Sequence, residues 1–360
     1  VKALPTTEAL SIERRTSRDD DEIARLYGDV FGSALAESNR RRWRWQYLDN
    51  PNVGPEGSEI WIAREGERIL GQYASMPVRL WWKNREARAS WGMDVFVRQE
   101  ARGRGVGARL FTAWADHVDV ALGLGLTPSS YGLFRKLGYA DVGPVPLFQK
   151  VLAPRPIVER RLGPGLGRIV TPLAGLILRA RFQERPVVPS SGQPAVEVRS
   201  IATFTPEYDD LWERTRGSYM MCARRDAAYL NWKYRDCPHR SYDLWEARLD
   251  QRLVGFAVSR HEIHRGLELG WLVDLFADAS DVSARDALLG AILGSFREAG
   301  VARAQAFSLG APLATSLRRR GFFPARSPMQ FCVRAKDQAD EVIADTGSWH
   351  VVFGDSDMDR

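Results

Sequence analysis

The chain has 360 residues, 44% hydrophobic and 27% charged, which suits a folded globular protein with room for two domains that each bury a core. Its net charge of +6 suits a polyanionic partner, but the basic residues are scattered, which argues against a nucleic-acid binder and leaves a phosphate-rich small molecule. Three cysteines without paired spacing (Cys222, Cys237, Cys332) exclude a disulfide framework and point to the reducing cytoplasm. No apolar run reaches the roughly 18 residues that would cross a bilayer.

In chain order, apolar residues at helical spacing predict a helix over 19–31, opened by a run of acids. A dense basic run follows at Arg40, Arg41, Arg42 and Arg44, readable as a solvated helix face or a ligand site. Strands are predicted at 60–63 and 69–74. A second hairpin, 78–82 with 87–97, turns at Lys83-Asn84-Arg85. A helix over 105–118, a strand near 121–126, a helix ending near Leu137 and a strand towards Lys150 complete this stretch. Residues 151–195 hold seven prolines and read as a linker with one helix. Within it, 166–178 is apolar but broken by Arg168 and Pro172. It is expected to lie buried between domains, with contact to a membrane surface as the alternative.

The pattern then starts again. Trp45-x-Tyr47-x-x-x-Pro51 returns as Trp232-x-Tyr234-x-x-x-Pro238, and Trp61-x-Ala63-Arg64 as Trp245-x-Ala247-Arg248. Trp91-x-x-Asp94-x-Phe96 returns as Trp271-x-x-Asp274-x-Phe276, and the Gly138-Tyr139 helix end as Gly321-Phe322. Matches in one order, 180 to 187 residues apart, predict an internal duplication: a domain over 1–150, the linker 151–195, a second domain over 196–340 and a tail over 341–360.

The sharpest motif runs from Val97 to Leu110, where a strand enters Arg102-Gly103-Arg104-Gly105-Val106-Gly107-Ala108 and a helix leaves it. Glycines let the backbone turn its N–H groups inward, and the positive end of the helix dipole faces the same spot. That is a pyrophosphate cradle, with Arg102 and Arg104 at its rim. The spacing is not the dinucleotide fingerprint, and Ala108-Arg109 after Gly107 is not a Walker loop.

With Arg102, Gly105, Gly107, the lead-in Val97 and the second signature Leu133 to Tyr139, the sequence resembles the GNAT acyltransferase superfamily over residues 10–150. The resemblance implies an α/β protein of two tandem GNAT-like domains, each a mixed, mostly antiparallel sheet with flanking helices, the second degenerate. It also implies acetyl-CoA as acyl donor, held by the loop, and a carbonyl polarised by a backbone N–H near Phe96 or Val97. In the second half Arg285 and Ala287 stand where Gly105 and Gly107 would, so that copy is expected not to bind CoA.

Asp94 is the candidate base, although its recurrence as Asp274 in the half without a glycine loop favours a structural role equally; Glu37 is the runner-up. The family's thiolate acid is a tyrosine where this chain has Phe134, and Tyr131, one turn earlier, is the substitute candidate. His261-x-x-His264 lies in strand-like sequence and is not taken as a metal site. Trp43 and Arg42, which do not recur, are expected with Glu37 to hold the acceptor, a small-molecule or sugar amine. An amino sugar of bacterial envelope or exopolysaccharide synthesis is the association the resemblance carries. Two other readings stand beside this one: an aminoacyl transferase of the peptidoglycan-bridge type, which does not need the loop, and a non-catalytic CoA-binding scaffold or sensor.

Overall fold

The computed structural model describes residues 9–187, 194–336 and 340–359. The first half opens with β1 (Ser11–Arg14) and α1 (Asp20–Phe31), whose acidic first turn suits a helix N-terminus and whose Ile23 and Leu26 enter the core. After α2 (Ser33–Tyr47) comes an antiparallel meander of β2 (Ile60–Glu65), β3 (Arg68–Trp82) and β4 (Arg85–Val97). Lys83 and Asn84, both at positive φ, make the tight turn between β3 and β4. The strands expected at 69–74 and 78–82 are one 15-residue strand. Pro77 does not break it, because Pro77 falls between Ala74, the last residue paired to β2 on one edge of β3, and Leu80, where β9 takes over. Next are α3 (Val106–His117), which buries Leu110, Phe111 and Trp114, β5 (Val120–Leu124), α4 (Pro128–Lys136), β6 (Ala140–Pro144) and β7 (Leu147–Val151).

The segment predicted as a linker with one helix holds two, α5 (Pro154–Leu162) and α6 (Pro164–Arg181). Each begins on a proline, the position where a missing N–H costs nothing, so prolines read as linker residues are helix starts. The expectation that 166–178 is buried between domains is overturned: Leu166 is 61% exposed, Ile169 75% and Leu173 60%.

The second half repeats the order: β8 (Glu197–Ile201), α7 (Glu207–Thr215), β9 (Met221–Ala223), α8 (Ala227–Leu230), β10 (Asp243–Leu249), β11 (Arg252–His264), β12 (Leu267–Ala277), α9 (Val282–Glu298), β13 (Arg303–Leu309), α10 (Ala311–Arg319), β14 (Phe323–Ala325) and β15 (Gln330–Ala335). After α11 (Asp340–Ala344), β16 (Trp349–Val352) closes the chain's regular structure. The architecture is α/β, a mixed, mostly antiparallel sheet system with flanking helices.

Each half gives a strand to the other. β7 pairs antiparallel with β13 and with β14, while β15 pairs with β5 and β6. β9 and β16 carry the sheet across from β3 to β13. The recurring tryptophans meet at the centre. Trp45 and Trp232 stack with centroids 4.8 Å apart, each Nε1–H donating to the other's carbonyl oxygen at 2.8 and 2.9 Å. The repeat seen in the sequence is thus a contact as well as a pattern.

Candidate active site

In the first half β4 and β5 pair only from Ala89 to Trp91, after which β4 continues to Val97 and β5 to Leu124 without bonding each other. The gap opens beside a bulge in β4, where the register with β3 slips between Gln72 and Ala74. Beyond Val97 the chain makes one 3-10 turn and enters the glycine loop, which ends where α3 starts at Val106. Gly103 and Gly105 have φ of +80° and +78°, a conformation that L side chains rarely adopt. A Cβ on Gly103, Gly105 or Gly107 would meet nothing within 4 Å, so the loop faces open space. Gly105 caps α3 without a side chain, and by helix geometry the first-turn N–H groups of Val106, Gly107 and Ala108 lack intrahelical acceptors. Such a cradle fits a pyrophosphate. Arg102 is exposed and donates to Val97 O at 3.2 Å, whereas Arg104 is ion-paired to Glu65 at 2.6 Å.

Asp94 lies in the bulge at φ +43° and is half-buried. Its Oδ2 accepts from Tyr47 Oη at 2.6 Å and from Tyr27 Oη at 2.9 Å. Burial and the neighbouring Asp94 carboxylate hold the Tyr47 hydroxyl well above its usual pKa, so its proton stays on. Phe96 is buried with its ring edge against Tyr27, at 4.7 Å.

The residues expected to hold the acceptor are not brought together. Trp43 lines a cleft of about 1270 Å³ between α1 and α2, with Tyr27, Arg25, Arg41, Arg44 and Arg98 on its walls, and packs under Arg15 at 5.2 Å. Arg42, the residue before it, turns to the other side of α2, where it is ion-paired at 3.1 Å to Asp357. Glu37 belongs to α2, but its side chain lies outside the described residues.

Tyr131, on α4, donates to Asp141 Oδ2 at 2.5 Å, and this hydrogen bond raises its pKa. Phe134 is buried among Phe111, Trp114 and Tyr139, its ring so close to β5 that a Cβ on Gly123 would lie 2.3 Å from it. His261 and His264 are exposed on β11, and His261 Nδ1 lies 2.6 Å from Glu268. No group of three or more metal-ligating side chains occurs among the described residues.

The sequence reading missed the tail. In the tail over 341–360, Asp355 and Ser356 are buried and the Asp357 side chain is 8% exposed. From β16 the chain passes Arg225, which binds Asp355 at 2.8 Å, and Lys233, which donates to Ser356 O at 2.8 Å. It then meets Arg42 and lays Met358 against Gly125 at the end of β5. Alternating acids such as Asp355 and Asp357 resemble a solvated end; only their cationic partners Arg225 and Arg42, far away in sequence, show otherwise.

The corresponding region of the second half is closed. β12 and β13 pair from Leu269 to Leu272 and then part, but β16 pairs with Ser308 and Leu309 of β13. At the start of α9 the Asp281 carboxylate caps Ala284 N. Arg285 is buried, donating to Asp278 O at 2.5 Å and Ser316 Oγ at 3.2 Å.

Residues 11–142 match the model of the acetyltransferase (GNAT) domain. No curated protein matches the chain in sequence. In fold it is similar to a GCN5-related N-acetyltransferase from Anabaena variabilis, with 11% identity, a TM-score of 0.62 and coverage of 91% of this chain and 73% of that one. A GCN5-related N-acetyltransferase from Kribbella flavida gives 15% identity, a TM-score of 0.59 and coverage of 95% and 75%. Saccharomyces cerevisiae N-myristoyltransferase with bound myristoyl-CoA gives 12%, 0.52, and coverage of 93% and 85%. At these identities the likeness is one of fold.

Proposed function

We propose, from the premise that residues 11–142 are a GNAT acetyltransferase domain, that the protein is an N-acyltransferase whose first half takes an acyl-CoA, acetyl-CoA by default, and acylates an amine. One observation carries this reading: the open glycine loop and parted β4 and β5 occur in the half that matches the domain model, while the equivalent places in the other half are filled. In this reading Arg102 and the backbone from Gly103 to Ala108 hold the pyrophosphate, and the β4 backbone at Phe96 and Val97 faces the thioester carbonyl. Asp94 takes a proton from the acceptor's ammonium, leaving the neutral amine that attacks the thioester carbonyl. Its two tyrosine hydrogen bonds stabilise the carboxylate that does so, and Tyr27 links it to the cleft that holds Trp43. The acceptor belongs in that cleft, whose arginines and indole suit a polar or sugar amine. With Phe134 in the core and Tyr131 bound to Asp141, the leaving thiolate is left to take its proton from the nitrogen of the tetrahedral intermediate, which loses it as the amide forms, or from water.

The test is CoA release from acetyl-CoA against a panel of amines, with Gly107→Glu as control. Turnover with at least one amine, abolished by the substitution, supports the reading. The missing hydroxyl at Phe134 favours one rival, a CoA-binding sensor, which would bind CoA and turn over no amine.

A further inference from the structure

The α5–α6 hairpin is left over by the acyl-transfer reading. The two helices pack through the small side of α6, where Gly167 comes so close that a Cβ would lie 2.7 Å from the Glu159 Cα. Gly175, Leu178 and Phe182 turn inward to line a cavity of about 470 Å³ against the second half. The opposite side is unpartnered. Leu166, Ile169, Leu173, Leu176 and Ile177 fall within an arc of roughly 100° on α6. With Leu162 at the end of α5 they are between 47% and 75% exposed. These are six of the ten large hydrophobic side chains exposed among the described residues, so the patch is a built feature.

Charge says what covers it. Residues 151–187 contain seven arginines and two glutamates, a net +5 out of the chain's +6. Both glutamates are already used, Glu159 by Arg155 at 2.7 Å and Glu184 by Lys150 at 3.2 Å. No Asp or Glu lies on α6 at all. A second copy docking stripe to stripe would bring two such cationic surfaces together, which disfavours self-association. An anionic bilayer surface satisfies both features, taking the aliphatic ridge among its acyl chains and the arginines at its headgroups. No helix among the described residues is long and apolar enough to cross a membrane, so the contact is with one leaflet.

We propose that the α5–α6 hairpin docks the protein on an anionic lipid surface, with α6 lying in the headgroup plane. The test is co-sedimentation of the purified full chain with vesicles of phosphatidylcholine alone and of phosphatidylcholine with about 30% phosphatidylserine. Binding is expected to the anionic vesicles, at least about tenfold tighter than to the neutral ones. Ile169→Glu with Leu173→Glu is expected to weaken it at least about tenfold, and Arg161→Ala with Arg168→Ala by about fivefold per arginine on anionic vesicles only. All four positions are exposed, and unchanged melting and CoA affinity in the variants confirm that folding is intact. The proposal is overturned if the parent stays in the supernatant with both vesicle types, or if the Glu double variant binds as the parent does. A parent that is dimeric on a sizing column and monomeric as that variant assigns the stripe to a second copy, which also overturns it.

Discussion

The two halves share an element order, a bulged fourth strand and a Tyr–Asp hydrogen bond, yet they treat the same helix start in opposite ways. At α3 the chain spends glycines in left-handed conformations and leaves the helix without a side-chain cap. At α9 it supplies its own carboxylate, Asp281, and fills the neighbouring space with the Arg285 guanidinium. The carboxylates differ in the same sense. Asp94 is half-buried and bound to two tyrosines, whereas Asp274 is 2% exposed and bound to Tyr234 at 2.9 Å and to fully buried Arg225 at 3.2 Å. One half carries cost where a ligand would repay it, and the other has spent the same positions on stability. The frame is kept in both halves although the second has no glycine loop, the equivalent space being filled from within by Arg285 and β16.

The sharpest way to break this comparison is to put the same charge at equivalent sites. Gly107→Glu introduces a carboxylate at the α3 N-terminus without straining φ, and is expected to weaken CoA binding by more than about 100-fold, because its charge repels a pyrophosphate from the same backbone cradle. Gly105→Glu adds backbone strain to the same repulsion. Ala287→Glu, its counterpart in the second half, is expected to leave binding unchanged. Calorimetry should give one CoA per chain; two equivalent sites would end the asymmetric account.

The paired aspartates come next. Asp94→Asn is expected to lower turnover about 100-fold at neutral pH with CoA affinity unchanged. Asp274→Ala leaves the Arg225 guanidinium with less of its buried counter-charge and is expected to cost about 3 kcal/mol in denaturant unfolding. If Asp94→Asn stays fully active, the Tyr–Asp pair is structural in both halves.

What the sequence made legible was local or repeated. The glycine loop needs special φ at Gly103 and Gly105, and residue type alone announces that. Helical periodicity located α1 and α3, and the four repeated motifs fall on elements that recur in the same order in the second half. What it concealed depends on partners far along the chain. The exchange of β7 and β15 leaves every strand's apolar pattern unchanged, since a strand buries the same face whichever half supplies its neighbour. The amphipathic pattern of α6 was visible, but periodicity does not say whether an apolar face meets protein or solvent. Arg42 and Trp43 are adjacent in sequence and about 100° apart on α2, so one faces the tail and the other the cleft.

A smaller effect should appear in the pH dependence of stability. Burial pushes the Asp355 carboxyl up to about 6, although the Arg225 guanidinium opposes the shift. An unfolded aspartate titrates near about 3.9. Between these values the folded chain binds more protons than the unfolded one, so this contribution is full below about pH 4 and is lost as pH rises through about 6. Asp355→Asn is expected to remove that part of the slope in melting temperature between pH 4 and 6, and an unchanged slope would place the titration elsewhere.

The smallest effect is expected at Tyr131, where the halves diverge without consequence for the chemistry. Its counterpart, at the offset set by Gly138 and Gly321, is Ala314, and Phe134 corresponds to the buried Leu317. A thiolate acid must give up its proton readily, but the Tyr131 proton is directed at the Asp141 carboxylate, and that bond makes the hydroxyl a weaker acid than a free tyrosine. A group held in this way stabilises α4 against β6 and contributes little to proton transfer. Tyr131→Phe is therefore expected to change the maximal rate less than about threefold and to leave its pH profile in place, since general acid catalysis is worth about 100-fold or more where it operates. A loss of that size, with CoA affinity intact and the alkaline limb of the profile displaced, would instead show that Tyr131 leaves Asp141 when substrate is bound and serves as the acid.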